Sequence, residues 1–123
     1  MNPLRPEATM PSFLLLLHED PAQYAELSPA EMQSVVAEYS TWTQRMADAG
    51  KLSAGVKLRD GVGRRVGRDA AGRLMDGPFT ETKDVVGGYF VVLAPDLEGA
   101  LAIARDCPHV ANGWIEVREI EIG

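Results

Sequence analysis

The chain has 123 residues, 46% of them hydrophobic, which is the composition of one globular domain able to bury a single core. Twelve Lys and Arg against eighteen Asp and Glu give a formal charge of -6, which repels a nucleic-acid backbone or an anionic membrane, so neither is expected as a partner. Cys107 is the one cysteine, which excludes an intrachain disulfide and a cysteine-built metal site and fits a reducing, cytoplasmic home with no cofactor indicated.

The opening MNPLRPEATMPS has no apolar stretch long enough for a signal peptide, and its two early prolines mark a flexible leader over 1–11 ahead of a single domain at 12–123. Phe13 to Leu17 is a short apolar run ending at His18 and bounded by Glu19, Asp20 and Pro21, which predicts a central strand covered on both faces. Ser28-Pro29-Ala30-Glu31 predicts a helix start with Ser28 as N-cap and Glu31 closing a capping box. Met32, Val35, Val36, Tyr39, Thr43 and Met46 then recur at helical spacing until Gly50 supplies the stop. Strands are expected at Leu52 to Leu58, and Arg64 to Asp69 and Arg73 to Asp76 flank an Asp-Ala-Ala-Gly turn as a surface hairpin. The basic residues between Lys57 and Arg73 read as the solvated face of that hairpin, with an anion-binding rim as the other reading. Tyr89 to Ala94 is a second continuous apolar strand. Asp96 caps a second helix with the stripe Leu97, Ala100, Leu101 and Ala104, ended by Cys107-Pro108. The last strand spans Trp114 to Ile122, where a change of parity predicts a bulge or a switch of buried face near Arg118-Glu119.

This order predicts an α+β, ferredoxin-like protomer with an inserted β-hairpin. Two helices cover one face of such a sheet, while the runs at Phe13 to Leu17 and Tyr89 to Ala94 are apolar on both parities. The second face therefore needs cover, and in a chain this short the expected cover is a second copy: a homodimer with its sheets packed face to face.

Asp76-Gly77-Pro78-Phe79-Thr80-Glu81-Thr82-Lys83-Asp84, followed by Gly87-Gly88-Tyr89, resembles the YCII-related family in its DGPF-domain branch. The resemblance extends from roughly Phe13 to Ile120, through Leu27-Ser28-Pro29-Ala30-Glu31, Ala49-Gly50-Lys51-Leu52, Pro95-Asp96-Leu97-Glu98 and Gly113-Trp114-Ile115-Glu116-Val117-Arg118. It implies a dimeric α+β barrel. Some members resemble dehalogenase-like or muconolactone-isomerase-like enzymes, and some relatives are linked to extracytoplasmic-function sigma factors, which adds a sigma-factor-linked regulatory context as a partner. Fold alone does not carry chemistry. The YciI-type branch has a His on the first helix and an Asp before a proline after the second; Tyr39 and Cys107 stand at those positions here.

Candidate chemistry gathers near the DGPF stretch. Asp76 is a candidate base or a cap of its own turn, and Glu81 and Lys83, two apart, point to one side of an extended segment where they pair or hold a polar ligand. His18, at a strand end, is a candidate acid-base residue, and His109 in the turn toward Gly113 is a candidate for the same cleft. Tyr39 and Tyr89 carry hydroxyls on apolar elements and are candidate ligand contacts. Two readings follow: a homodimer binding an unidentified small molecule in a polar-rimmed pocket, or a cofactor-independent lyase, isomerase or dehalogenase-like enzyme using His18 or Asp76. A metal site would require His18 and His109 to converge with carboxylates such as Asp76 or Glu81.

Overall fold

The computed structural model of the chain describes residues 10–60, 63–77 and 84–121. Glu81 and Lys83, and all but the two ends of the DGPFTETKD stretch, lie outside the described residues, as does the leader up to residue 9. Strand β1 is Ser12–Glu19, helix α1 Pro29–Asp48, β2 Leu52–Lys57, β3 Arg65–Arg68, β4 Leu74–Gly77, β5 Val85–Leu93, helix α2 Leu97–Asp106 and β6 Trp114–Glu119. The main sheet is antiparallel with the order β2-β5-β1-β6, and β3-β4 form a separate two-stranded hairpin. With α1 crossing from β1 to β2 and α2 from β5 to β6, this is the ferredoxin-like α+β arrangement with an inserted hairpin.

Local signals account for the element ends. Ser28 Oγ accepts the Glu31 N–H at 3.1 Å while Glu31 Oε1 accepts the Ser28 N–H at 2.9 Å, closing the capping box. Gly50 leaves α1 at a φ of 73°, a conformation only glycine adopts without strain. Asp96 Oδ1 accepts the Gly99 N–H at 2.8 Å to start α2. In the hairpin, Asp69 Oδ1 accepts from the N–H groups of Ala71 and Arg73, and these bonds, that from Arg73 foremost, hold the Asp69 carboxyl below its usual range. The basic cluster is largely tied down in solvent: Lys57 pairs with Asp60, Arg73 with Asp69 and Arg64 with Asp76.

The core lies between the helices and one face of the sheet. Phe13, Leu15 and Leu17 of β1 and Phe90 and Val92 of β5 meet Trp42 and Met46 of α1 and Ala100, Ile103 and Ala104 of α2. Burial along β1 therefore alternates: Leu14, Leu16 and His18 face the other side of the sheet, together with Tyr89 and Val91, and are only half-buried in the single chain. Ile103 takes the buried place on α2, and Leu97 is 49% exposed.

Two expectations shift. The stripe on α1 is buried only toward its C-terminal end, at Trp42 and Met46, and Val36 is 56% exposed because the first turns of α1 stand off the sheet across a cavity. The pairing of β1 with β6 runs without interruption from His18 opposite Trp114 to Phe13 opposite Glu119. No bulge forms at Arg118-Glu119; the strand simply ends there, so Ile120 falls outside it and its N–H caps the edge by donating to the Ser12 carbonyl at 2.8 Å. A bulge occurs instead in the β1–β5 ladder, where Leu17 faces Gly88 and His18 faces Val86, leaving Gly87 as the extra residue.

Candidate functional site

The two-residue period of β1 that buries Phe13, Leu15 and Leu17 also carries Glu19 to the helix-covered face, where it is 5% exposed. The bulge at Gly87 makes the room: a Cβ there would lie 2.6 Å from Glu19 Cδ and 2.7 Å from Oε2. Asp20 caps a short 3₁₀ helix at Pro21–Tyr24 by accepting the Ala22 N–H, and that turn brings the Tyr24 hydroxyl back to donate to Glu19 Oε1 at 3.3 Å.

From the other end of the chain, a second 3₁₀ helix at Pro108–Ala111 inserts His109, which is 1% exposed. His109 Nε2 lies 2.9 Å from the His18 carbonyl oxygen, which can only accept, so Nε2 carries a hydrogen. In the neutral imidazole Nδ1 is then the acceptor, and the Tyr39 hydroxyl, 2.8 Å away, donates to it. Asn112 Nδ2 donates to the Tyr39 oxygen at 3.0 Å, and Glu19 Oε1 lies 3.9 Å from His109 Nδ1. Burial raises the Tyr24 hydroxyl pKa, with Tyr39 and Glu19 adding to the effect, and burial raises that of Tyr39 as well, so both keep their hydrogens well above neutral pH.

Glu19, Tyr24, Tyr39 and His109 form the floor of a cavity of about 510 Å³ between α1 and the sheet. Its walls are largely apolar, with Met32, Val35 and Val36 of α1 on one side and Leu17, Val56 and Phe90 of the sheet on the other. Glu19 Oε2 is fully buried and, among the described residues, has no hydrogen-bond partner. A buried acceptor without a donor is expensive in any fold, and Glu19 is one of the residues that line this cavity.

The structure brings together two of the residues that the sequence singles out, Tyr39 and His109. His18 contributes its carbonyl; its ring lies on the opposite face of the sheet, stacked on Trp114 at 3.8 Å between centroids and 3.2 Å from Glu116 Oε1. Tyr89 also points to that face, by its parity with half-buried Val91. Asp76 sits on β4, apart from the main sheet, and pairs with Arg64 at 2.9 Å. Glu19, Tyr24 and Asn112 are not among the residues singled out. The signal for Glu19 is present in the sequence as parity with Phe13, Leu15 and Leu17, whereas nothing in the order of residues places Tyr24 or Asn112. Among the described residues no three of His, Cys, Asp and Glu gather closely enough to hold a metal ion, and no helix is long and apolar enough to cross a membrane.

The model of the YCII-related domain matches residues 12–121 of this chain. The chain belongs to the YCII-related family. It is also similar to an uncharacterized protein of Rhizobium meliloti (strain 1021), 29% identical over 114 residues that cover 89% of this chain and 92% of that protein.

Within this YCII-related chain, Tyr39 on α1 has its partner two residues beyond Cys107, at His109, so the first helix and the segment after the second meet through a hydrogen-bonded pair. Cys107 itself is 1% exposed, and burial pushes its thiol up to about 11 from an ordinary 9.0. Between those values the unfolded chain loses a proton that the folded chain keeps. Stability is therefore expected to fall as pH rises from about 9 toward 11, and Cys107→Ala to flatten that fall in a series of urea melts; an unchanged slope contradicts the assignment. The folded thiol should also alkylate about a hundredfold more slowly at pH 8 than an exposed cysteine.

Proposed function

We propose that this chain is a small-molecule-binding protein of the DGPF branch, working as a cytoplasmic homodimer, with its ligand in the cavity between α1 and the sheet. The observation that carries the reading is the buried, unpartnered Glu19 Oε2 at the floor of an otherwise apolar-walled cavity. The half-buried Leu14, Leu16, Tyr89 and Val91 on the uncovered face of the sheet support the dimer. A fragment screen by thermal shift is expected to yield ligands that raise Tm in the wild type and lose most of that shift in Val36→Trp, which fills the cavity mouth from an exposed position. Ligands that bind Val36→Trp undiminished would place the site elsewhere. Light scattering checks the dimer, and a stable monomer contradicts it.

A second reading, cofactor-independent proton transfer in the manner of an isomerase or lyase, draws support from the pairing of Tyr39 with His109 beside Glu19. On this geometry Glu19 is the better-placed base than His18 or Asp76, because it lines the cavity with one oxygen unpartnered among the described residues while His18 and Asp76 are engaged by Glu116 and Arg64. Deuterium uptake by a bound carbonyl compound in heavy water, abolished in Glu19→Gln, separates this reading from binding alone.

A further inference from the structure

We propose that the cavity takes a neutral or cationic apolar molecule whose head is a hydrogen-bond donor, an alcohol or an amine, and that it rejects organic anions. The inference rests on the pocket reading above and follows from where the hydrogens of the floor point. The Tyr24 hydroxyl hydrogen is committed to Glu19 Oε1, and that of Tyr39 to His109 Nδ1. The His109 Nε2 hydrogen is committed to the His18 carbonyl. What remains is an acceptor: Glu19 Oε2, buried and bare among the described residues. A floor that offers an acceptor and no free donor selects for donors by its valences alone.

Charge acts in the same direction. Lys57 is the lysine among the described lining residues, and its Nζ is held by Asp60 Oδ1 at 2.8 Å and the Leu58 carbonyl at 2.6 Å, at the exposed end of the cavity. An anionic head driven to the floor would meet the Glu19 carboxyl and the lone pairs of two tyrosines with no cation to offset them, in surroundings where such a mismatch is weakly screened. An ammonium head would instead make a charge-assisted bond to the free oxygen. The apolar walls then cover the rest of the molecule: Met32, Val35, Leu17 and Phe90 suit a phenyl or short alkyl body.

Four probes sharing one phenethyl-sized body isolate the head group: 2-phenylethylamine, 2-phenylethanol, 2-phenylethyl methyl ether and phenylacetate, each titrated calorimetrically into the intact protein at neutral pH. The expected order is amine, then alcohol, with the ether and the acid weaker than the amine by about tenfold or more. In Glu19→Gln, whose amide adds an N–H to the floor, the amine weakens and the gap to the ether closes. If that variant does not fold, the order in the wild type decides alone. Phenylacetate binding tightest, with the His109 resonances moving, overturns the ligand class and leaves the pocket standing. No heat and no movement of His109 with any of the four overturns both.

Discussion

Gly113→Ala is expected to destabilise the protein by about 3 kcal/mol, read as a lowered midpoint in chemical denaturation, and to break the seat of His109 at the same time. A Cβ at this position would overlap the His18 carbonyl oxygen and stand 2.9 Å from His109 Nε2. The obstructed atom is backbone in a central strand paired on both sides, so it cannot swing away as a long side chain would. Relief must come from moving either β1 or the turn that carries His109, and both break the 2.9 Å bond that fixes the imidazole. Gly67→Ala is the matched control: it lies in a strand of the exposed hairpin with nothing within 4 Å of the added methyl, and should change stability by no more than about 0.5 kcal/mol. Equal effects at the two glycines would contradict the close approach.

Trp42→Ala is expected to cost about 4 kcal/mol, the range for emptying a buried indole site. Trp42 is 2% exposed and packs its ring at 5.0 Å from Phe90, the residue that also lines the cavity. It therefore fastens α1 to the sheet just where the helix begins to stand off from it. Trp42→Phe should cost far less, about 1 kcal/mol, for two reasons. It keeps an aromatic ring against Phe90, and it removes an indole N–H that is buried without an acceptor among the described residues. A Phe variant as damaged as the Ala variant would mean that the indole N–H is satisfied after all.

The parts of this fold that are legible in the sequence are those decided within a few residues. Ser28, Pro29 and Glu31 announce the start of α1 because the capping box closes over three residues, and Asp96 does the same for α2. The order of elements then gives the ferredoxin-like topology, since short antiparallel sheets with two crossing helices leave few alternatives. The site is harder to read because its bonds span the chain: Tyr39 and His109 are 70 residues apart, and His109 and His18 are 91 apart. Glu19 was within reach. Charged residues at strand ends usually signal the boundary, yet the period of two carries Glu19 inward, and only the bulge at Gly87, invisible in the pattern, supplies the space for its carboxyl. The paired glycines 87 and 88 accordingly serve close approach, to Glu19 and to the Val56 carbonyl. The DGPFTETKD stretch lies mostly outside the described residues, while the described chemistry gathers at the end of β1.

The central claim is that the Glu19, Tyr39 and His109 cluster is a prearranged binding floor, and imidazole nitrogen NMR on the wild-type protein with 2-phenylethylamine added stepwise tests it most directly. The geometry predicts that His109 carries its hydrogen on Nε2 with Nδ1 accepting, and that its resonances move with added amine while those of His18, on the other side of the sheet, stay in place. A hydrogen on Nδ1 with Nε2 bare, or movement confined to His18, would contradict it.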